Sequence, residues 1–314
     1  MFKLTILITL LCFFLTVKIN AQTEKINMGL VAPTACKAIA PFVLKLGFNP
    51  NTSAFSTSEK KYIGVVLIDY SSAKNIKRYQ DTTWKNFGNM GPLAIDQLGN
   101  IFVAPIPIVN VLTNKKEDQN KIYKIDAATG KMALFLNLGA KPGANPNNAY
   151  GIVGLYYDCN KQNIYASSIY NSNETNENGI IYCININTKK VISTLNNTDA
   201  MGLGVAEFNS KPCLFFGHTR NHVVYYVYLN SKGIMEQVKN KAFSLVNLGP
   251  RGDDIAKKIK FSPQNQLIIN STTFYYNLTA PGEIQETVYT YVYQIATQKW
   301  VKTNEENKGL VVGY

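Results

Sequence analysis

Apolar and polar residues alternate along most of this chain with a period of two, in short runs broken by turn-forming residues. Four stretches repeat one phrase, two alternating runs joined by a tight polar turn: Leu93 to Ala104, Gly154 to Ser167, Gly204 to Phe216 and Lys258 to Ile269. Runs of this kind predict paired antiparallel strands. A second phrase follows each of them, an apolar run entering a turn that contains lysine: Lys121 to Lys131, Ile180 to Lys190, Val223 to Lys232 and Tyr289 to Lys299. An earlier copy of the second phrase spans Ile63 to Lys74. No segment of comparable length carries the 3.6-residue period of a helix, which argues against alternating βα architectures.

The phrases recur about every fifty residues, the spacing of four-stranded propeller blades. The expected fold is therefore all-β, a β-propeller of five four-stranded antiparallel blades, or six if residues 24 to 60 supply part of another. Gly91, Gly151 and Gly202 each stand where an innermost strand begins, a place where close packing favours a residue without a side chain. The apolar tail from Gly309 to Tyr314 reads as a strand that closes the ring by completing the first blade, which would remove open sheet edges.

Lys3, an apolar run from Leu4 to Val17 and the small Ala21 predict a signal peptide over residues 1–21. The run is too short for a transmembrane anchor, and no later stretch is apolar enough to be one. A single β-propeller domain over residues 22–314 is expected, in the periplasm or outside the cell. Removing Lys3 and Lys18 lowers the formal charge from +12 to +10, which favours anionic surfaces, although the lysines are scattered over the hairpins. No nucleic-acid-binding motif is present. Cys36, Cys159, Cys183 and Cys213 survive cleavage and permit two disulfides in three pairings, or buried free thiols.

If each blade runs from its innermost strand outward, the short turns share one face and the long, irregular loops share the other. Binding residues concentrate in variable loops on a rigid scaffold, so the loop-rich face is the expected functional one. The only two histidines, His218 and His222, flank Arg220 in one loop, and Arg251 begins Arg251-Gly-Asp-Asp254 at the next blade junction. These loops should be neighbours, gathering His218, Arg220, His222, Arg251, Asp253 and Asp254 as a polar cluster of anion donors, imidazoles and carboxylates. The competing reading makes an arginine–aspartate pair a brace between blades. Asp199, Asn89, Asn147, Tyr150 and Trp84 precede innermost strands and should rim a central funnel, unless they cap turns.

The chain lacks the Gly-x-Ser-x-Gly elbow, His-Glu-x-x-His and Cys-x-x-Cys. Gly91-Pro-Leu-Ala-Ile-Asp-Gln-Leu-Gly-Asn-Ile-Phe-Val103 and Asn148-Ala-Tyr-Gly-Ile-Val-Gly-Leu-Tyr-Tyr-Asp158 resemble blades of exported propellers of the broad SMP-30, NHL and YncE-like kind. The resemblance covers roughly residues 60 to 314 and implies a scaffold. SMP-30-type enzymes hold a divalent metal such as calcium at the axis with a glutamate, asparagines and an aspartate. Asn147 or Asn148 would echo one of those asparagines, but no early glutamate motif accompanies them. Two functions follow as expectations. The first is a non-catalytic binding or assembly module that recognises a glycan, peptide or protein of the cell envelope or extracellular space. The second is a metal-dependent hydrolase or lactonase using the central funnel, with Asp199, Asp253, Asp254 or a histidine as base.

Overall fold

The computed structural model describes residues 29–34, 38–59, 61–72, 75–106, 114–139, 148–277 and 283–312. Two short elements come first, β1 (Leu30–Val31) and the single-turn helix α1 (Pro41–Lys45). The first blade then contains β2 (Ser53–Ser56), β3 (Val66–Asp69) and β4 (Lys77–Tyr79). The second contains β5 (Met90–Ile95), β6 (Ile101–Pro105), β7 (Lys121–Ile125) and β8 (Met132–Asn137). The third contains β9 (Ile152–Asp158), β10 (Asn163–Ser168), β11 (Ile180–Asn185) and β12 (Lys190–Asn196). The fourth contains β13 (Ala200–Phe208), β14 (Lys211–His218), β15 (Val223–Tyr228) and β16 (Asn240–Ser244). The fifth contains β17 (Ile255–Phe261), β18 (Leu267–Thr272), β19 (Glu283–Gln294) and β20 (Lys299–Val312). All five sheets are antiparallel and follow chain order, forming a five-bladed β-propeller.

Local chemistry fixes the hairpins. Asp96 follows β5 and its Oδ1 accepts from the Leu98 and Asn100 amides at 2.8 Å each. Asp126 performs the same service for Ala128 and Thr129 at 3.1 Å, and Asp69 for Ser71 at 2.9 Å. These aspartates turn the backbone with their own side chains. Between β13 and β14 the two turn residues, Asn209 and Ser210, both have positive φ, 50° and 62°, the conformation that matches strand twist in a two-residue hairpin.

The core lies between the blades. Leu67, Trp84, Val103 and Tyr123 join the first blade to the second, Phe102, Ile164 and Tyr182 the second to the third, Tyr165, Leu203 and Phe216 the third to the fourth, and Phe215, Phe243, Ile269 and Tyr291 the fourth to the fifth. Close approach there demands glycine: a Cβ on Gly154 would stand 2.1 Å from the Met201 carbonyl, and one on Gly217 2.4 Å from that of Ala256.

Two expectations are corrected. The C-terminal strand does not complete the first blade: Leu310, Val311 and Val312 pair with Gln285, Ile284 and Glu283 in the fifth, because the strand simply prolongs its own hairpin. Residues 313–314 lie outside the described residues. The described residues of the segment read as part of a sixth blade form instead a strap across the short-turn face, followed by β2. Its Leu30 pairs with Phe208, the Ala32 amide bonds Asn265 Oδ1 at 2.9 Å, the Phe42 amide meets the Ala127 carbonyl at 3.3 Å, and Lys77 Nζ bonds the Leu46 and Gly47 carbonyls at 2.9 Å each. Of the alternatives open for the cysteines, the free-thiol one holds for two of them. Cys183 and Cys213 are buried free thiols, Cys159 is disulfide-bonded, and Cys36 lies outside the described residues.

Candidate functional site

Three connections of the loop-rich face meet around one carboxylate. Asp199 leads into β13 and is wholly buried. Its Oδ1 accepts from the Ser172 hydroxyl and from the Gly179 amide, the latter at 2.9 Å. Its Oδ2 accepts from Arg220 Nε at 2.7 Å and from the Tyr276 hydroxyl at 2.6 Å. All four donors are distant in sequence, so one side chain ties the loops of the third, fourth and fifth blades together. Burial first, and then the neighbouring Asp199 charge, raise the Tyr276 phenol's pKa far above its usual range, which keeps it protonated and donating.

Arg220 is consumed by the same arrangement. Beyond Asp199, its guanidinium donates to the carbonyls of Glu174 at 2.8 Å, Asn176 at 2.6 Å and Asn173, and it lies 4.8 Å over the Tyr276 ring. The planar fork thereby folds residues 173–176 around itself. His218, also buried, accepts the Arg220 amide at Nδ1 over 3.3 Å, which leaves the proton on Nε2 to donate to Glu177 Oε1 at 2.7 Å. The Asp199 amide donates to the same oxygen at 3.0 Å. Burial works to raise the Glu177 carboxyl's pKa, but these two hydrogen bonds outweigh it and hold the carboxyl below its usual range.

The remaining candidates separate from this network. His222 is held at a φ of 54° with Nδ1 3.2 Å from the Asp254 carbonyl. Asp254 is buried, with Oδ2 accepting from the Tyr289 hydroxyl at 2.9 Å and Oδ1 without a partner. That burial raises its carboxyl's pKa. Arg251 is 62% exposed, 3.7 Å from Asp253, and its guanidinium lies 5.6 Å over the ring of Tyr275, itself exposed. The loops are neighbours on one face, as the sequence implies. They form two buried networks and one exposed patch rather than a single cluster, because strand ends aim His218 and Arg220 inward while the Arg251 turn points out.

The funnel residues also move. Trp84 does not rim the axis: it is fully buried between the first and second blades, edge-on to Phe42, Phe55 and Tyr79, with its indole N–H 2.7 Å from the Gly130 carbonyl. Asn147 lies outside the described residues. Neighbouring Asn148 spends its amide on the Ile169 and Ser172 carbonyls, at 2.7 and 2.8 Å, and Asn89 binds the side chain of Asn114. Tyr150 joins Val153, Met201, Ile255 and Tyr276 in an apolar cluster where innermost strands begin. Hard divalent cations take oxygen ligands. The described residues of this cluster do not fit such an ion, and no three acidic, histidine or cysteine side chains converge elsewhere among the described residues.

Sequence reasoning missed Glu177, Ser172 and Tyr276. Glu177 and Glu174 are the only charges in the loop between β10 and β11, and that scarcity was the one available signal.

Comparison with known proteins agrees with the architecture and stops there. No protein-family model matches the chain, and no curated protein matches it. Among solved structures it is similar to a hypothetical selenium-binding protein from Sulfolobus tokodaii, at 12% identity and a TM-score of 0.50 over 89% of this chain and 63% of that one. The chain thus spans under two thirds of that protein. It is also similar to the Dos1 propeller, at 11% identity, TM-score 0.42, 83% of this chain and 69% of that one. A third similarity is to an endo-arabinase from Bacteroides thetaiotaomicron, at 12% identity, TM-score 0.37, 82% and 80%. The shared feature is the fold.

Proposed function

We propose that this chain is a non-catalytic, exported binding module whose loop-rich face recognises an anionic glycan of the cell envelope or extracellular space. The observation that carries the reading is a division of labour on that face. Arg220, His218, Asp199 and Glu177 are spent on one another and on loop carbonyls, so they build a platform and offer nothing to a substrate. Arg251 and Tyr275, by contrast, stand exposed and stacked. A guanidinium supplies paired donors to a sulfate or carboxylate, and an aromatic ring supplies a flat apolar surface for a sugar.

Two further facts support the choice of face and ligand. The short-turn face carries the strap of residues 29–34 and 38–48, and the chain's net charge is +12. Export is supported by the Lys3 to Ala21 segment. No helix among the described residues is long and apolar enough to cross a membrane.

An array of neutral, carboxylated and sulfated oligosaccharides, probed with the purified protein and with R251A/Y275A, tests the proposal. Retention on anionic sugars that disappears in the double variant is expected. Retention that is absent, or equal in both proteins, refutes it.

A further inference from the structure

The ring has one joint unlike the others. Three of the five sheets have four strands and the fourth blade adds β1 to its four, but the first blade has three among the described residues, in the order β2-β3-β4. Turn chemistry shows which they are. Asp69 at the end of β3 opens the same side-chain-stabilised turn as Asp126 at the end of β7, and a long connection precedes β3 as it precedes β7. The three strands therefore correspond to the second, third and fourth of a complete blade. The innermost strands β5, β9, β13 and β17 lie side by side in that order, and no described residue fills the fifth innermost place, beside β2.

The fifth blade is built accordingly. One face of its sheet, with Ile259, Leu267, Ile269, Tyr289 and Tyr291, is buried against the fourth blade. The alternate residues are not: Lys258 and Lys260 are exposed, and Ile268, Asn270 and Thr290 are half-buried. In the third blade, by contrast, β10 is buried at all six positions. No hydrophobic cluster of described residues bridges the fifth blade and the first.

The joint also has a sign. Lys257, Lys258 and Lys260 run along β17, and none has a carboxylate within ion-pair distance among the described residues. The acid beside them, Glu286, is held by Asn270 Nδ2 at 2.7 Å. Burial, and then the like charge of Lys258, lower the pKa of Lys257. On the edge itself the Ser53 amide is taken by the Asn49 carbonyl at 2.9 Å, and no charged side chain guards the rest. Exposed edges are normally protected by charges, proline or a bulge, whereas β2 reads Ser53-Ala54-Phe55-Ser56.

We propose that the joint between the fifth and first blades is a strand-acceptor site, at which an extended acidic segment of a partner protein adds to β2 in the innermost place that no described residue occupies. Main-chain hydrogen bonds to the β2 edge supply affinity, as in other strand additions. Lys258 and Lys260 select alternate carboxylates. This site is separate from the Arg251–Tyr275 patch and does not depend on it.

The test uses the full mature chain and a fluorescein-labelled octapeptide of alternating glutamate and valine, with a lysine–valine octapeptide and a backbone N-methylated glutamate–valine octapeptide as controls. The acidic peptide should bind, and K258E/K260E should weaken it at least tenfold without shifting thermal unfolding, since both lysines are exposed. N-methylation should abolish binding, and R251A/Y275A should leave it unchanged. The Phe55 amide faces away from β3, since Ala54 and Ser56 carry the ladder and the Ser53 amide bonds the Asn49 carbonyl; its exchange should be fast in the free chain and slow in the complex. Equal binding of the lysine peptide, no binding of the acidic one, or a Phe55 amide already protected in the free chain would each overturn the proposal, the last because the chain would then fill its own joint.

Discussion

Arg220 Nε meets Asp199 Oδ2 at 2.7 Å across the junction of the third and fourth blades, with Asp199 wholly buried. The pair is the hub of the larger buried network on the loop-rich face, tying together loops of the third, fourth and fifth blades. Removing one member of such a pair strands the other charge.

Arg220→Ala should therefore lower stability by about 3 kcal/mol, the size expected when a buried pair loses one partner. Arg220→Lys should recover little of it, because an ammonium cannot reach the carboxylate and the carbonyls of residues 173–176 together. Denaturant unfolding of both variants checks this. An effect below about 0.5 kcal/mol would mean the network is ornamental.

Trp84→Phe keeps an aromatic ring between the first and second blades but leaves the Gly130 carbonyl unpaired in the core. A loss of about 1–3 kcal/mol is expected, with no change in anionic-sugar retention. Altered retention would return Trp84 to the site.

The relation of sequence to structure was uneven for physical reasons. Strand period, turn aspartates and five copies of the third strand are local, so they made the blades legible from Ile63 to Lys299. The shared face of His218, Arg220 and Arg251 followed from counting strands. The partners of Asp199 and His218 did not follow, since Ser172, Glu177 and Tyr276 reach them from other blades and carry no local mark. Trp84 was misplaced because it precedes β5 just as Tyr150 precedes β9, while the incomplete first blade lets its connector fold inward. The tail was misread because an apolar run that prolongs a hairpin looks the same as one that crosses to another blade.

Acid should reveal a second brace. Burial works to raise the Asp81 pKa, but Lys131 at 2.7 Å and the Thr83 hydroxyl and amide outweigh it and bring the carboxyl from 3.8 to about 2. A carboxyl depressed by folding contributes stability that is complete above its unfolded value and lost as pH falls through the folded one. The stability gap between wild type and Asp81→Asn should thus be constant above about pH 5 and shrink between pH 4 and pH 2. A gap independent of pH would contradict the ion pair.

Burial raises the pKa of the Cys183 and Cys213 thiols to about 12 each. Thiolate is the reactive form, so both should resist a thiol reagent in native protein at pH 8 and react fully in denaturant. Rapid native labelling of either would place it nearer the surface.

Whether Arg251 and Tyr275 read an anionic sugar while the Arg220 network only carries them is decided by calorimetric titration of a sulfated oligosaccharide retained on the array into wild type and R251A, with unfolding of each measured in parallel. Arg251 is exposed, so its loss should leave stability within about 0.5 kcal/mol while weakening binding by about 1.5–3 kcal/mol for each charge-assisted hydrogen bond removed. Unchanged affinity in R251A, or a fall in affinity matched by an equal fall in stability, would contradict the account.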